Sequence, residues 1–289
     1  MNNIENTIYE IMIYINLNLF EHITLDVLSN RFSYSKYHLH RKFKDIVGTT
    51  LNDYIKKRRI ENSIYFLSAN PDADITEVAS YCGFSSATYS REFRKVFNRT
   101  PIEWRNIYKK TTGIKKDSNI CKNYEQFICY NDSGIPKEIK NIRIVEINPK
   151  NISAKIHYGS LYDKKVRDLW NQIIESNKEG GCYVLISMNS PAVTDINSCL
   201  FLLGFESCSD VPALTNIVID GGNYIIIDYE GSREKFRETY TWVIKYYFPQ
   251  KGLKYDYRVQ FHEYVHAPDL NKSEISCKIY IPVNYTLRN

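Results

Sequence analysis

The 289-residue sequence lacks the features that would place it in a membrane or outside the cell. It has no stretch of about 18 consecutive apolar residues, the length that a membrane-spanning helix needs. Its first residues, MNNIENTIYEIMIYI, carry no basic leader ahead of an apolar run, as a secretory signal would. We therefore expect a cytoplasmic protein that is neither exported nor inserted into a membrane.

The sequence also lacks a disulfide framework and the common signatures of enzymes. It has seven cysteines, an odd number, and no two of them have C-x-x-C spacing. This usage favours free thiols in a reducing compartment. A phosphate-binding loop, a dinucleotide-binding glycine motif and paired catalytic carboxylates are missing too. We therefore predict no enzyme activity, no cofactor and no metal site.

The length of the chain predicts two domains, and its charge is unevenly distributed. The formal net charge is +5. The segment from Arg31 to Arg59 alone contains nine Lys and Arg residues but only two Asp and no Glu. This concentration favours an anionic partner for that region of the chain and not for the remainder.

The stretch YSKYHLHRKFKDIVG, from Tyr34 to Gly48, predicts a helix with two different faces. Apolar side chains recur at the spacing of a buried stripe, at Leu39, Phe43, Ile46 and Val47. The opposite face combines aromatic, imidazole and cationic groups, at Tyr37, His40, Arg41 and Lys44. Such a face suits a polyanion with readable edges, although it is also typical of a solvated helix surface.

The same pattern recurs 50 residues further along the chain, so that Phe93 corresponds to Phe43 and Arg91 to Arg41. Each copy begins with a short helical stretch, TLDVLSNRF or DITEVASYC, whose first Thr or Asp is a typical N-cap. A tight turn follows, and in the second copy Gly83 can adopt a positive φ. Two short helices with a polar second helix predict a helix-turn-helix in each copy.

A long helix is predicted between the two copies, over LNDYIKKRRIENSIYFLSAN. With about 18 residues at about 1.5 Å each, it is roughly 27 Å long. Successive major-groove faces of B-DNA are roughly 34 Å apart, so a rigid spacer of this length suits the reading of two adjacent grooves. A further helix start follows at TPIEWR, where Thr100, Pro101 and Glu103 occupy the N-cap, N1 and N3 positions.

These motifs, in this order and spacing, resemble the AraC/XylS family of transcriptional regulators. The resemblance implies an all-α domain over residues 1–110 that binds double-stranded DNA as a monomer or weak dimer and contacts RNA polymerase. It places base contacts on Tyr37, His40, Arg41 and Arg91, phosphate contacts on Lys36, Lys44 and Arg58, and further DNA contacts on Ser86 and Thr88. Two departures leave a purely structural second motif open: GFSSATYSREF is one residue shorter than the family spacing, and Asn98 replaces the usual Gly.

The second half of the chain predicts an α+β domain built from a repeated unit. After a linker over residues 111–135, β-branched runs alternate with two amphipathic helices, at Leu161–Lys178 and Ser232–Phe248. The segment around Gly159 and Trp170 parallels the segment around Gly231 and Trp242. We therefore predict two similar β-helix-β units, related by a pseudo-twofold axis, with a groove between them.

This half, residues 136–289, resembles the GyrI-like effector-binding domain in IDGGNYIIIDYEG, FHEYVHAP and IYIPV. With the first half it resembles the Rob-type order of domains. The resemblance implies a pocket for a small organic ligand, with an acidic residue at its base. The acidic position that matches is Glu263, and the candidate wall residues are Tyr158, Trp170, Tyr229 and Tyr264.

Strand alternation places the Glu263 carboxylate on an apolar face, where it needs a compensating charge. An organic cation would supply one and would attract the surrounding rings. The alternative is a carboxylate paired with a Tyr hydroxyl or an Arg. The segment HEYVH also satisfies a zinc-protease pattern, but the same alternation would hold His262 and His266 about 13 Å apart, too far to share a metal.

The sequence thus predicts a DNA-binding transcriptional regulator, an activator, tuned by a small ligand, for which a cationic amphiphile is a candidate. Two alternatives for the second half stay open. One is a hydrolase of small reactive molecules with Glu263 as acid and base. The other is a module that sequesters drugs or contacts another protein.

Overall fold

The computed structural model describes residues 3–69, 73–110, 134–178, 180–189, 193–269 and 272–285. Contacts within the chain divide it into two compact units, Met1–Lys109 and Lys110–Asn289. In the described part of the chain, no helix is long and apolar enough to cross a membrane. The segment YEQFICY, within the linker, lies outside the described residues.

The first unit is entirely helical within its described residues. Its helices are α1 (Asn3–Leu17), α2 (Leu25–Phe32), α3 (Lys36–Val47), α4 (Leu51–Ala69), α5 (Ile75–Tyr81), α6 (Ser86–Phe97) and α7 (Pro101–Lys110). The predicted duplication is confirmed, because α3 and α6 have the same length and begin 50 residues apart. Each follows a short helix and a tight turn, as a helix-turn-helix requires.

Polar caps fix where these helices begin. The Ser35 side chain accepts a hydrogen bond from His38 N, and Ser85 accepts one from Thr88 N at the equivalent position of α6. Thr50 and Asp53 form a capping pair at the start of α4, and Thr100 and Glu103 form one at α7. Local sequence signals therefore set the helix boundaries in both copies.

The helix α4 is the centre of the first unit, because α1, α3 and α6 all pack against it. Asn16 on α1 donates to Tyr54 Oη at 3.0 Å, and the ring of Phe43 on α3 lies 5.5 Å from that of Tyr54. On the other side, Tyr89 on α6 donates to Ser63 Oγ at 2.8 Å. This shared support fixes α3 and α6 relative to each other.

The second unit is an antiparallel sheet with helices. Its strands are β1 (Ile139–Ile147), β2 (Lys150–Tyr158), β3 (Tyr183–Ser187), β4 (Leu200–Glu206), β5 (Thr215–Ile219), β6 (Gly222–Ser232), β7 (Leu253–Tyr255), β8 (Phe261–Tyr264) and β9 (Glu274–Tyr285). Its helices are α8 (Lys165–Ser176), α9 (Phe236–Trp242) and α10 (Phe248–Lys251), with a π-helical turn at Val243–Tyr247 between the last two.

The order of the strands confirms the predicted tandem arrangement. It runs β1-β6-β9-β8-β3-β4-β2-β5, with β7 paired to the end of β9. Within this domain, the first β-helix-β repeat contributes β2, α8, β3 and β4, and the second repeat contributes β6, α9, β8 and β9. The two repeats meet where β3 pairs with β8. Trp170 and Trp242, which occupy matching positions in the two repeats, are both buried.

Both helices of the tandem cover the same face of the sheet. Trp170 on α8 contacts Tyr183 edge to face, and Tyr183 pairs with Tyr264 on β8. His262, two residues before Tyr264, contacts the ring of Phe236 on α9 at 4.6 Å. Side chains two apart on a strand share a face, so α8 and α9 lie on one side, called the helix face below. The other side is called the open face.

Candidate nucleic-acid interface and ligand site

The outward surface of α3 presents the four side chains that its sequence pattern predicts. Tyr37, His40, Arg41 and Lys44 are all exposed, while Leu39 and Phe43 on the opposite side are fully buried. Tyr37 is 77% exposed, so its ring is available to contact another molecule. Ile46 and Val47 are only half-buried.

The cations of this surface are held loosely, so they remain available to another molecule. The Arg41 guanidinium lies 3.9 Å from the Asp45 carboxylate, and its side chain is 65% exposed. Lys36 forms an ion pair with Asp26 on α2, and both side chains are largely exposed. Exposed pairs of this kind contribute little to stability, because water screens them.

The corresponding surface of α6 is less exposed at the first turn of the helix. Ser86 and Thr88 are only half-exposed, and Thr88 bonds to the capping residue Ser85 at 3.0 Å. The repeat of 50 residues instead places Ala87 where α3 has Tyr37 and Arg94 where it has Lys44, and both are exposed. The internal repeat could have identified these two residues.

Arg91 occupies the predicted outward position on α6. Its side chain is 65% exposed, and its Nε lies 3.2 Å from Glu92. Lys95 also binds Glu92, at 2.9 Å, and this bond together with that of Arg91 lowers the pKa of the Glu92 carboxyl. Two cations, Arg91 and Lys95, thus share the single Glu92 carboxylate, so part of their positive charge stays uncompensated.

The end of α6 shows how the sequence tolerates the missing glycine. Asn98 takes a left-handed conformation with φ of 56°, and its N–H donates to Arg94 O at 2.8 Å. Asn is one of the few residues other than Gly that adopts this conformation readily. Gly48 closes α3 in the same way, with φ of 81°. The two helices therefore end alike.

Arg58 is not placed as a phosphate contact would be. It is only 4% exposed, and its guanidinium binds the buried Glu61 carboxylate and, at 2.9 Å, Asn16 Oδ1 on α1. A buried cation needs such a partner. This burial contradicts the predicted phosphate contact, and Arg58 instead ties α4 to α1. The signal was present, since Tyr54, Arg58 and Glu61 share one helical face.

Glu263 lies on the open face of the sheet and is paired there with several groups. It is 7% exposed. Its carboxylate lies 3.3 Å from Lys150 Nζ and 3.5 Å from Lys278 Nζ, and it accepts a hydrogen bond from Tyr280 at 3.2 Å. Glu263 lies on a strand, as the alternation predicts, but the face to which it points carries charged side chains, and its charge is already compensated inside the chain.

These pairs belong to a row of alternating charges that crosses the open face. Lys150 also binds Glu206 at 2.5 Å, and Lys278 pairs in register with Asp228, which binds Arg143 at 2.7 Å. Burial lowers the pKa of Lys150, but its bond to Glu206 and the charge of Glu263 raise the pKa above its ordinary value overall. Lys150 is therefore cationic at neutral pH.

The structure separates three predicted wall residues from Glu263. Tyr264 is next to Glu263 on β8, and Tyr229 pairs with Cys277, next to Lys278 on β9, so both Tyr side chains lie on the helix face. Trp170 packs into the core cluster on that same face. The prediction of one pocket formed by these three residues and Glu263 is therefore wrong, because the sheet lies between them.

Tyr158 and the HEYVH segment have simpler placements. Tyr158 is half-buried at the end of β2, where burial raises its pKa. His262 lies on β8, as the alternation predicts, and its ring nitrogens form hydrogen bonds with the hydroxyl groups of Tyr240 and Tyr264. Among the described residues, no group of three or more His, Cys, Asp and Glu is arranged to hold a metal.

Comparison with known proteins gives matches to both halves. A model described as a helix-turn-helix domain matches residues 28–107, and a model of the GyrI-like small molecule binding domain matches residues 140–284. The probable transcription factor PqrA of Proteus vulgaris is 44% identical over 86 residues, which cover 29% of this chain and 70% of PqrA.

Two further relatives match the helical unit. Regulatory protein SoxS of Escherichia coli (strain K12) is 31% identical over 102 residues, which cover 35% of this chain and 94% of SoxS. Transcriptional regulator Rob of Salmonella typhimurium is 35% identical over 100 residues, which cover 34% of this chain and 34% of Rob. The aligned part thus spans about a third of Rob. These relatives are regulators of transcription and not enzymes.

Proposed function

Because the chain belongs to the AraC/XylS family of DNA-binding transcriptional regulators and carries a GyrI-like small molecule binding domain, we propose that it activates transcription under the control of a small ligand. Residues 1–110 form the DNA-binding domain, residues 111–135 the linker and residues 136–289 the ligand-binding domain. The protein acts in the cytoplasm.

The first recognition helix, α3, reads bases in one major groove through Tyr37, His40 and Arg41. The observation that carries this assignment is their joint exposure on the side opposite the buried Leu39 and Phe43. An Arg side chain can bind guanine O6 and N7 at once, and aromatic or imidazole groups can contact neighbouring base edges. Lys36 and Lys44 flank this surface and bind phosphates.

The second recognition helix, α6, reads the adjacent groove through Arg91, with Arg94 as a flanking cation. Support comes from the shared packing of α3 and α6 on α4, which holds the two outward surfaces in a fixed relation. Ser86 and Thr88 lie at the first turn of α6, where backbone N–H groups favour a phosphate. We therefore assign phosphate contacts to these two residues.

One chain carries both reading helices, so a monomer suffices to bind two grooves on one side of the duplex. Activation then requires a contact with RNA polymerase bound at a neighbouring site. In the second unit, the small ligand shifts the balance between active and inactive forms by binding one of them more tightly.

A mobility-shift titration of the full-length chain on a selected DNA site tests this function. Addition of an organic ligand should change either the affinity or the transcript yield in a reconstituted reaction with RNA polymerase. Binding that shows no preference among DNA sequences at fixed salt concentration would refute the role as a sequence-specific regulator.

A further inference from the structure

An open depression lies where β1 begins, β6 ends and β9 begins. Its volume is about 610 Å³, and its lining is strongly polar, with three Glu, three Lys and two Ser side chains. No part of the charge row around Glu263 contributes to it. The depression is large enough for a small organic molecule.

Glu138 distinguishes this depression from an ordinary charged surface. Its side chain lines the depression although the residue is only 7% exposed. Among the described residues, no hydrogen bond or ion pair to its carboxylate is present. A carboxylate that is largely shielded from water and has no direct partner favours a ligand that supplies a donor.

Gly231, on the facing strand β6, makes room for the Glu138 side chain. A Cβ atom at Gly231 would lie 2.5 Å from Glu138 Cγ and 3.2 Å from its Cβ. Any other residue at this position would therefore push the Glu138 side chain away. The backbone thus accommodates a buried carboxylate at this one point of the depression.

Two of the three lysines that line the depression are already engaged with other carboxylates. Lys235 binds Glu238 at 2.7 Å, and Lys140 lies 3.9 Å from Glu230. Neither of these lysines forms an ion pair with the Glu138 carboxylate, although its charge adds to the effect of Glu238 in raising the pKa of Lys235. The negative charge on Glu138 is therefore the one in this depression that is both buried and without a direct partner in the described part of the chain.

Glu263 presents the opposite situation, although its sequence pattern pointed to a ligand. Two lysines and a tyrosine hydroxyl already surround its carboxylate. An organic cation would have to displace a lysine to reach it. The cost of breaking a partly buried ion pair makes Glu263 the poorer acceptor of the two.

We propose that the depression beside Glu138 binds a small, polar organic ammonium compound, whose N–H groups donate to the Glu138 carboxylate. This inference rests on the proposed ligand control of the protein and names the chemical class and the place of the ligand. The hydroxyl groups of Ser232 and Ser276, which also line the depression, accept or donate further hydrogen bonds.

Equilibrium dialysis of the full-length protein at low ionic strength tests the proposal, with labelled 1,4-diaminobutane as the probe. Unlabelled 1,4-butanediol and succinate, which have the same four-carbon chain, serve as uncharged and anionic competitors. We expect only the unlabelled diamine to compete. Glu138→Gln should weaken diamine binding about tenfold or more, because a hydrogen bond to a charged group is lost. Glu146→Gln, which changes an exposed carboxylate on the adjoining strand β1, should leave binding unchanged.

A second variant protects the test against loss of folding. Gly231→Ala keeps the carboxylate in the chain but displaces it, and it should weaken binding in the same direction. Unchanged binding in both Glu138→Gln and Gly231→Ala would overturn the proposal, as would stronger competition by succinate than by the diamine.

The position of Glu263 separates this inference from the proposed function. If Glu263→Gln abolished diamine binding while Glu138→Gln did not, the ligand would sit at Glu263, and ligand control would stand without the present inference. If the wild-type protein bound no diamine, the inference would fail. The DNA titration of the same preparation would then decide separately whether the protein is a regulator.

Discussion

Arg41→Ala is the substitution that most directly tests base reading by α3. The Arg41 side chain is 65% exposed, and its one ionic neighbour among the described residues, Asp45, lies 3.9 Å away. Truncation therefore removes almost nothing from the folded domain. The free energy of unfolding should change by less than about 0.5 kcal/mol, as for other exposed positions.

The effect on DNA binding should be much larger. A bidentate contact between an Arg and a guanine contributes about 1–3 kcal/mol of discrimination. With about 1.4 kcal/mol for each tenfold change, the affinity for the selected site should fall by roughly 5-fold to 150-fold. Affinity for random DNA should fall far less, because it depends mainly on phosphate contacts.

The assay is a mobility-shift titration at several fixed salt concentrations, on the selected site and on a scrambled site of the same length. Lys44→Ala is the matched control, since Lys44 is exposed on the same helix one turn away. Loss of a phosphate contact should weaken binding to both DNAs about equally and reduce the slope of log affinity against log salt by about 1.

The reasoning would be refuted by an Arg41→Ala protein that binds the selected site as tightly as the wild type. It would also be refuted by equal losses on the selected and scrambled sites. That second result would show that Arg41 binds phosphate, and the assignment of α3 residues to bases would have to be abandoned.

Three further outcomes follow from the structure. Arg58→Met leaves the buried Glu61 carboxylate without its main partner, so urea denaturation should show a loss of about 3–5 kcal/mol, and a second change, Glu61→Leu, should restore most of it. Burial lowers the pKa of His262 to about 4; the folded state disfavours the imidazolium, so stability should fall by roughly 3 kcal/mol as the pH drops from about 6.5 to 4. If the His262→Asn protein lost the same amount of stability over the same pH range, the loss could not be assigned to His262. Arg91→Ala should lower the affinity for the selected DNA site about 5-fold or more, and it should relax the base preference only in the half of the site that α6 contacts. An unchanged base preference would show that the second helix-turn-helix has only a structural role.

The elements of the helical unit could be predicted because the signals that form them are local. The capping pair Thr50 and Asp53 and the apolar spacing of Leu39 and Phe43 lie within a few residues of each other. The repeat of 50 residues also indicates which side chains of α6 are exposed. Local periodicity tells which side of a helix is buried.

Local periodicity does not tell what a buried side chain meets across the fold. Arg58 bonds to Asn16, 42 residues earlier, and Glu263 meets Lys150, 113 residues earlier. Both partnerships depend on the order in which helices or strands pack. The sequence left a Tyr hydroxyl open as a partner of Glu263, but it could not identify Tyr280 or the two lysines, and it could not show the burial of Glu138.

One part of the ligand-site prediction was within reach of the sequence. Neighbouring residues on a strand point to opposite faces, so Tyr264 could not share a pocket with Glu263 once β8 was recognised as a strand. For Tyr229 and Trp170 the faces are set by the pairing of β6 with β9 and by the packing of α8. These are long-range relations, which only the structure shows.

The central claim is that α3 and α6 enter two successive major grooves on one side of the same duplex. Selection of the full-length protein on random oligonucleotides, followed by sequencing, tests it most directly. The account predicts two short blocks of preferred bases whose centres lie about 10–11 base pairs apart, and loss of binding when about five base pairs are inserted between them. A single block, or binding that tolerates the insertion, would contradict it.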